Sequence, residues 1–226
     1  MKPQVIIYNA VSVDGRIDWF QPDIALFYSL VPRWHEDATL AGCDTLLRAP
    51  DEIPEETAMD AAGGAADPSD ERPLLIVPDS RGRVRTWHYW RAQPYWRDCV
   101  VLCSERTPRD YLQYLDDRAI KHIIIGDTQV DFSRALEVLH TEYGVRVIRV
   151  DSGGTLNGVL LRAGLVDEVH LLLHPALVGG MSPQIFFRAP DLCTPDAVIT
   201  LRLKGIEQQQ DDIVLLSYDV INKAHA

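Results

Sequence analysis

The sequence predicts an α/β fold with a mostly parallel central sheet, helices on both faces and an antiparallel pair of strands at its C-terminal edge. Three observations predict it. Apolar runs of strand length recur with helix-length stretches between them, the order that right-handed strand–helix–strand units produce. Several runs are continuously apolar rather than alternating, as in strands covered on both faces. The last two runs are joined by a short polar stretch instead of a helix.

Taken in order, the strand-length runs are Val5-Ile6-Ile7-Tyr8, Leu74-Leu75-Ile76-Val77, Cys99-Val100-Val101-Leu102-Cys103, His122-Ile123-Ile124-Ile125, Val145 to Val150, and Glu168 to Leu173. Pro108 to Asp117 carries Tyr111, Leu112 and Leu115 at helical spacing. Asp131 to Tyr143 does the same with Phe132, Ala135, Leu136 and Leu139, and Gly144 is placed to end that helix. Ile199 to Leu203 and Ile213 to Tyr218, with Gly205 and Asp211-Asp212 between them, read as the antiparallel pair. The expectation is a single domain over residues 1–226. Residues 49–72, rich in Asp, Glu, Ala, Gly and Pro, read as a mobile surface loop.

The formal charge of −11 argues against a nucleic-acid partner, whose phosphates the surface as a whole would repel. A small anion is still admissible, because one pocket can be positive. No apolar run approaches the roughly 18 residues that span a bilayer. Met1 to Val5 resembles no signal peptide, so no membrane association and a cytoplasmic location are expected. Cys43, Cys99, Cys103 and Cys193 show no zinc spacing, so no metal is expected, and they read as reduced core thiols. His170 and His174 share a strand face, with no metal-binding or nucleophile-activating motif around them. Trp87-His88-Tyr89-Trp90 is either a stacking surface or, more in keeping with aromatic usage, core or interface packing.

Four segments hold residues suited to chemistry. In Asp151-Ser152-Gly153-Gly154-Thr155-Leu156-Asn157-Gly158, small residues lie where a strand turns into a helix. Backbone N–H groups there can approach an anion, aided by about half a positive charge at the helix start. The same stretch would also serve as a tight turn with no ligand. Its spacing is not Gly-x-Gly-x-x-Gly, which disfavours a Rossmann assignment. In Asn9 to Ile17, the carboxylate of Asp14 sits at the end of the first strand, either facing a heterocycle or making an Asp-Gly turn. Ala41 to Leu47, expected just after a helix, offers Gly42 and Thr45 to a cofactor, or else forms a helix cap and an entering strand. Pro78 to Arg85 groups Ser80 with Arg81, Arg83 and Arg85, either a fork for a phosphate monoester or an exposed basic turn.

Together and in order, these segments resemble the pyrimidine reductase of riboflavin biosynthesis, which is also the C-terminal reductase domain of the bifunctional deaminase/reductase. The similarity runs from Val5 to Tyr218. Its most specific stretch is Asp151 to Leu156, then Gly164-Leu165-Val166-Asp167-Glu168-Val169 and Pro175 to Gly180. Ser12-Val13-Asp14-Gly15-Arg16 and Val77 to Arg81 match the family's other motifs. The resemblance implies a dihydrofolate-reductase-like fold, NADPH as cofactor, and a homodimer. It implies Ser152, Gly153, Gly154, Thr155 and Leu156 at the diphosphate, Thr45 at the nicotinamide half, and Ser80 and Arg81 at the 2′-phosphate. It places Asn9, Ser12 and Asp14 at a phosphorylated ribosylamino-pyrimidinone, with Asp14 near the reacting sugar as the catalytic residue. The family's Asp four residues after the threonine and its Pro-Arg pair are not found here, where Ala49 stands in the first position. That departure keeps open reduction of another pterin or pyrimidine, or a binding protein without activity.

Overall fold

The computed structural model describes residues 1–48, 52–57 and 70–221, and the chain forms two compact units. The terminal unit holds Gln4–His35 and the residues from Arg149 on; the central unit holds Met1–Pro3 and Glu36–Ile148.

In the terminal unit, strand β1 (Gln4–Ser12) buries Val5, Ile6, Ile7, Tyr8 and Val11, which explains its unbroken apolar run. Helix α1 (Ile24–Ser29) starts at Asp23, whose side chain accepts from the Leu26 N–H at 2.8 Å. Tyr8 and Phe27 stack at 4.3 Å and form a core with Leu172, Ile213 and Leu215. Burying each such side chain contributes about 1.5–3 kcal/mol.

In the central unit, β2 (Ala38–Leu40), β3 (Leu74–Pro78), β4 (Asp98–Cys103) and β5 (Lys121–Ile124) pair in parallel in the order β5-β4-β3-β2. Among the described residues this unit holds the helices α2 (Cys43–Arg48), α3 (Trp87–Arg91), α4 (Arg109–Asp117) and α5 (Phe132–Tyr143). Leu75 and Val77 of β3 enter a core with Trp87, Trp90, Tyr111 and Leu115, while Leu74 and Ile76 are buried as well. Both faces of the strand are thus covered, as its sequence demands. Asp131 caps α5 by accepting from the Arg134 N–H, and Gly144 ends it at φ 68°.

The chain passes between the units within β6 (Val147–Val150), which starts two residues later than its apolar pattern suggests. Helix α6 (Gly154–Arg162) leads to β7 (Glu168–His174), parallel to β1 with Ile6 opposite Glu168 and Ser12 opposite His174. Strands β8 (Thr200–Gln208) and β9 (Val214–Ile221) complete the order β1-β7-β9-β8, antiparallel from β7 onward, with a bulge between Leu203 and Gly205. The mostly parallel α/β class with an antiparallel C-terminal edge is therefore observed.

Two expectations need correction, and the aromatic cluster takes the core position that its composition favours. Ala41 to Leu47 follows a strand and enters helix α2, rather than following a helix; the strand Ala38–Leu40 is too short to show a period. Of the four cysteines only Cys99 and Cys103 lie in the core, where burial pushes both thiols up to about 12; Cys43 is half-buried and Cys193 exposed. The aromatic cluster is core at Trp87 and Trp90, with the Trp87 ring N–H donating to the Tyr111 hydroxyl at 3.1 Å. Of the loop expected over 49–72, residues 49–51 and 58–69 lie outside the described residues. Its described part, 52–57, has no regular structure and is held by Glu56, whose carboxylate accepts two bonds of 2.6 Å from Arg118. No helix among the described residues is long and apolar enough to cross a membrane.

Candidate functional site

At the end of β6 the chain turns through Asp151, Ser152 and Gly153 into α6. Gly153 is the N-cap, in extended conformation at φ −82°, and supplies no side-chain cap. Among the described residues, the backbone N–H groups of Gly153, Gly154, Thr155 and Leu156 have no hydrogen-bond partner. A helix start with its orphan donors unsatisfied is an anion-binding arrangement. Thr155 is exposed, so its hydroxyl can join them, whereas Ser152 and Leu156 are buried.

The glycines of this turn do different work. A Cβ on Gly154 would lie 2.1 Å from the carbonyl oxygen of Ile185, and one on Gly158 would lie 1.8 Å from that of Arg188. One turn of helix apart, these two positions make room for a backbone strap that crosses α6, where the Arg188 N–H donates to the Gly154 carbonyl at 2.9 Å. A Cβ on Gly153 would meet only the Ile17 side chain, at 3.4 Å, an ordinary contact. Gly153 is thus free to serve a ligand, while Gly154 combines packing with a free N–H.

Asp14 organises the segment after β1. Its carboxylate accepts from the Ser12 hydroxyl at 2.6 Å and from the backbone N–H groups of Val178 at 3.1 Å and Gly179 at 2.7 Å. Arg16 lies 3.8 Å away and donates to the carbonyls of Gly180 and Ser182. The Ser12 hydroxyl, then the Gly179 and Val178 N–H groups, hold the Asp14 carboxyl well below the usual carboxylate range. The charged form of this carboxylate is thereby favoured, and it is set to accept hydrogen bonds. Ser12 is fully buried beneath it. Asn9 is turned into the protein: it donates to the Ser152 carbonyl at 2.8 Å and accepts from Asn157 at 2.8 Å.

In the central unit, the turn after β3 is fixed by buried Asp79, which accepts from the Val84 N–H at 2.8 Å, and by Gly82 at φ 66°. Arg83 donates to the Asp44 carboxylate and to the Cys43 sulfur, both at 2.6 Å. Arg85 pairs with Asp110 at 2.7 Å and lies over the Tyr111 and Tyr114 rings. Arg81 is exposed and has no carboxylate partner among the described residues, and Ser80 beside it is half-buried. Thr45 lies within α2, half-buried, its N–H donating to the Gly42 carbonyl at 2.9 Å.

A model of the family described as the RibD C-terminal domain matches residues 3–215. The chain belongs to the RibD C-terminal domain family. It is 29% identical over 223 residues, covering 95% of this chain and 97% of the relative, to the 2,5-diamino-6-ribosylamino-4(3H)-pyrimidinone 5′-phosphate reductase of Methanothermobacter thermautotrophicus. Among solved structures, a pyrimidine reductase-like protein from Corynebacterium diphtheriae superposes with a TM-score of 0.74 at 15% identity, over 98% of this chain and 93% of that one. RibD of Acinetobacter baumannii superposes with a TM-score of 0.69 at 20% identity, over 97% of this chain, which spans 58% of that longer one. These likenesses give this RibD C-terminal domain the dihydrofolate-reductase-like fold.

The residues expected at the site fall into three groups. Ser152 to Leu156 come together as one turn, and Asn9 is bonded to it. Ser12 and Asp14 form the clamp on Val178 and Gly179. Thr45, Ser80 and Arg81 belong to the central unit. The strap from Gln184 to Arg188 was not expected, nor that Asn157 and Gly158, already part of the quoted turn segment, receive it. The four-residue spacing of Gly154 and Gly158 was the available signal, since small residues so spaced share a helix face.

Proposed function

We propose that this chain reduces the ribosyl group of an amino-pyrimidinone ribosylamino 5′-phosphate to ribityl, with NADPH as cofactor, as a step of riboflavin biosynthesis. The observation that carries this reading is the start of α6 at its glycine turn, where four N–H groups have no partner among the described residues. Joined to membership of a family whose relatives are named as reductases of this substrate, it supports a nucleotide diphosphate at that turn.

When bound, NADPH supplies the hydride. The chain's own residues bind and orient. Gly153, Gly154, Thr155 and Leu156 would hold the diphosphate through backbone N–H groups, and Thr155 through its hydroxyl. In the central unit, Ser80 and Arg81 would take the 2′-phosphate, and Thr45 the nicotinamide half. Asp14, seated on Ser12, would accept hydrogen bonds from the sugar. A homodimer in the cytoplasm completes the proposal.

Loss of absorbance at 340 nm, followed with purified protein, NADPH and the ribosylamino-pyrimidinone phosphate, tests it directly. Turnover of that substrate, with none of dihydrofolate, is the expected result. Turnover of dihydrofolate alone would replace the substrate assignment. Absence of NADPH binding would remove the enzyme assignment altogether.

A further inference from the structure

Asn9 and Asn157 are two amides where the fold would more cheaply place apolar side chains. Asn157 is fully buried and Asn9 is 7% exposed. The Asn157 amide donates to the Asn9 oxygen at 2.8 Å and to the Phe186 carbonyl at 2.7 Å. Its own oxygen has no partner among the described residues, a cost that a purely packing residue would avoid. The chain of bonds ends on the Ser152 carbonyl, to which Asn9 donates at 2.8 Å.

That last bond has a consequence for the turn. In a trans peptide the C=O and the following N–H point in opposite directions. Holding the Ser152 carbonyl inward therefore turns the Gly153 N–H away from the buried amides. Glycine tolerates either orientation of the preceding peptide, so nothing in Gly153 itself prevents a flip. A flipped peptide would withdraw one donor and present a carbonyl oxygen in its place, and an anion would be repelled.

We propose that Asn9 and Asn157 are positioning residues that lock the Ser152–Gly153 peptide with its N–H outward, so that it joins the donors of the α6 start. Asn9 acts on the carbonyl; Asn157 fixes the rotamer of Asn9 and is itself anchored on the strap at Phe186. The inference rests on the reading of this turn as the diphosphate site. It gives Asn9 a task through the cofactor rather than through direct contact with substrate.

The test compares two ligands by calorimetry: NADPH, and 2′-AMP, which has no diphosphate. N9L should raise the NADPH dissociation constant at least tenfold and leave that of 2′-AMP within about twofold. In steady state its KM for NADPH should rise far more than its kcat falls. N157L keeps the Ser152 bond while freeing Asn9 to rotate, and should weaken NADPH by a smaller factor; it carries the same comparison if N9L does not fold. NADPH affinity unchanged in the folded variants, or a parallel loss of 2′-AMP, would overturn the lock. If the unsubstituted protein binds no NADPH, it is the cofactor reading that falls instead.

Discussion

In the terminal unit, the turn from β6 into α6 presents backbone, whereas the turn after β3 in the central unit presents side chains. The first is lined by N–H donors that no residue of the described chain takes up. The second carries three arginines, of which Arg83 and Arg85 are already committed to Asp44 and Asp110. Counting charges in a motif thus overstates what a ligand can use, because ion pairing within the fold consumes most of them. Counting glycines misleads differently. Gly154 and Gly158 meet the carbonyls of Ile185 and Arg188, while Gly153 beside them meets the Ile17 side chain.

The sharpest way to break the comparison is to fill each glycine in turn. Gly158→Ala puts a methyl group 1.8 Å from a backbone oxygen that cannot swing aside. It should lower stability by about 1–3 kcal/mol, the range for overpacking, measured by urea unfolding. Gly153→Val should leave the urea midpoint nearly unchanged and abolish NADPH binding, by crowding the donors rather than the core. If both variants behaved alike, the division of labour among the glycines would be wrong.

The arginines give smaller effects. Arg81→Ala should cut the preference for NADPH over NADH about tenfold, or about 1.4 kcal/mol, in kcat/KM. Arg83→Ala removes a surface pair and should cost within about 1 kcal/mol of stability, with the cofactor preference kept. Equal loss of preference in both would mean that internal pairing does not decide availability.

The smallest effect is a pH dependence at Asp14. Its folded-state pKa is depressed, so its contribution to stability is fully present above the unfolded value of about 4 and is lost as pH falls through the folded value. The stability deficit of Asp14→Asn should therefore be constant above about pH 5 and shrink below about pH 4. In the rate profile, the substitution should remove no ionisation near neutrality.

Much of the fold was legible because it depends on local patterns. The unbroken apolar run of β3 reported burial on both faces, and Asp131 with Gly144 marked the two ends of α5. Strand β2 was not legible, since Ala38–Leu40 is shorter than any period it could display. At the site, the place of the turn at 151–156 could be read because small residues there separate a strand pattern from a helical one. The bond between Asn9 and Asn157 could not, because the two lie 148 residues apart. Nor could the choice among the three arginines, since Asp44 lies 39 residues before Arg83 and Asp110 lies 25 after Arg85.

The central claim is that the start of α6 holds a nucleotide diphosphate through backbone N–H groups. A crystal structure of the protein with NADPH tests it most directly. Diphosphate oxygens should lie about 3 Å from the N–H groups of residues between Gly153 and Leu156. A diphosphate bound elsewhere, with those N–H groups left facing water, would contradict it.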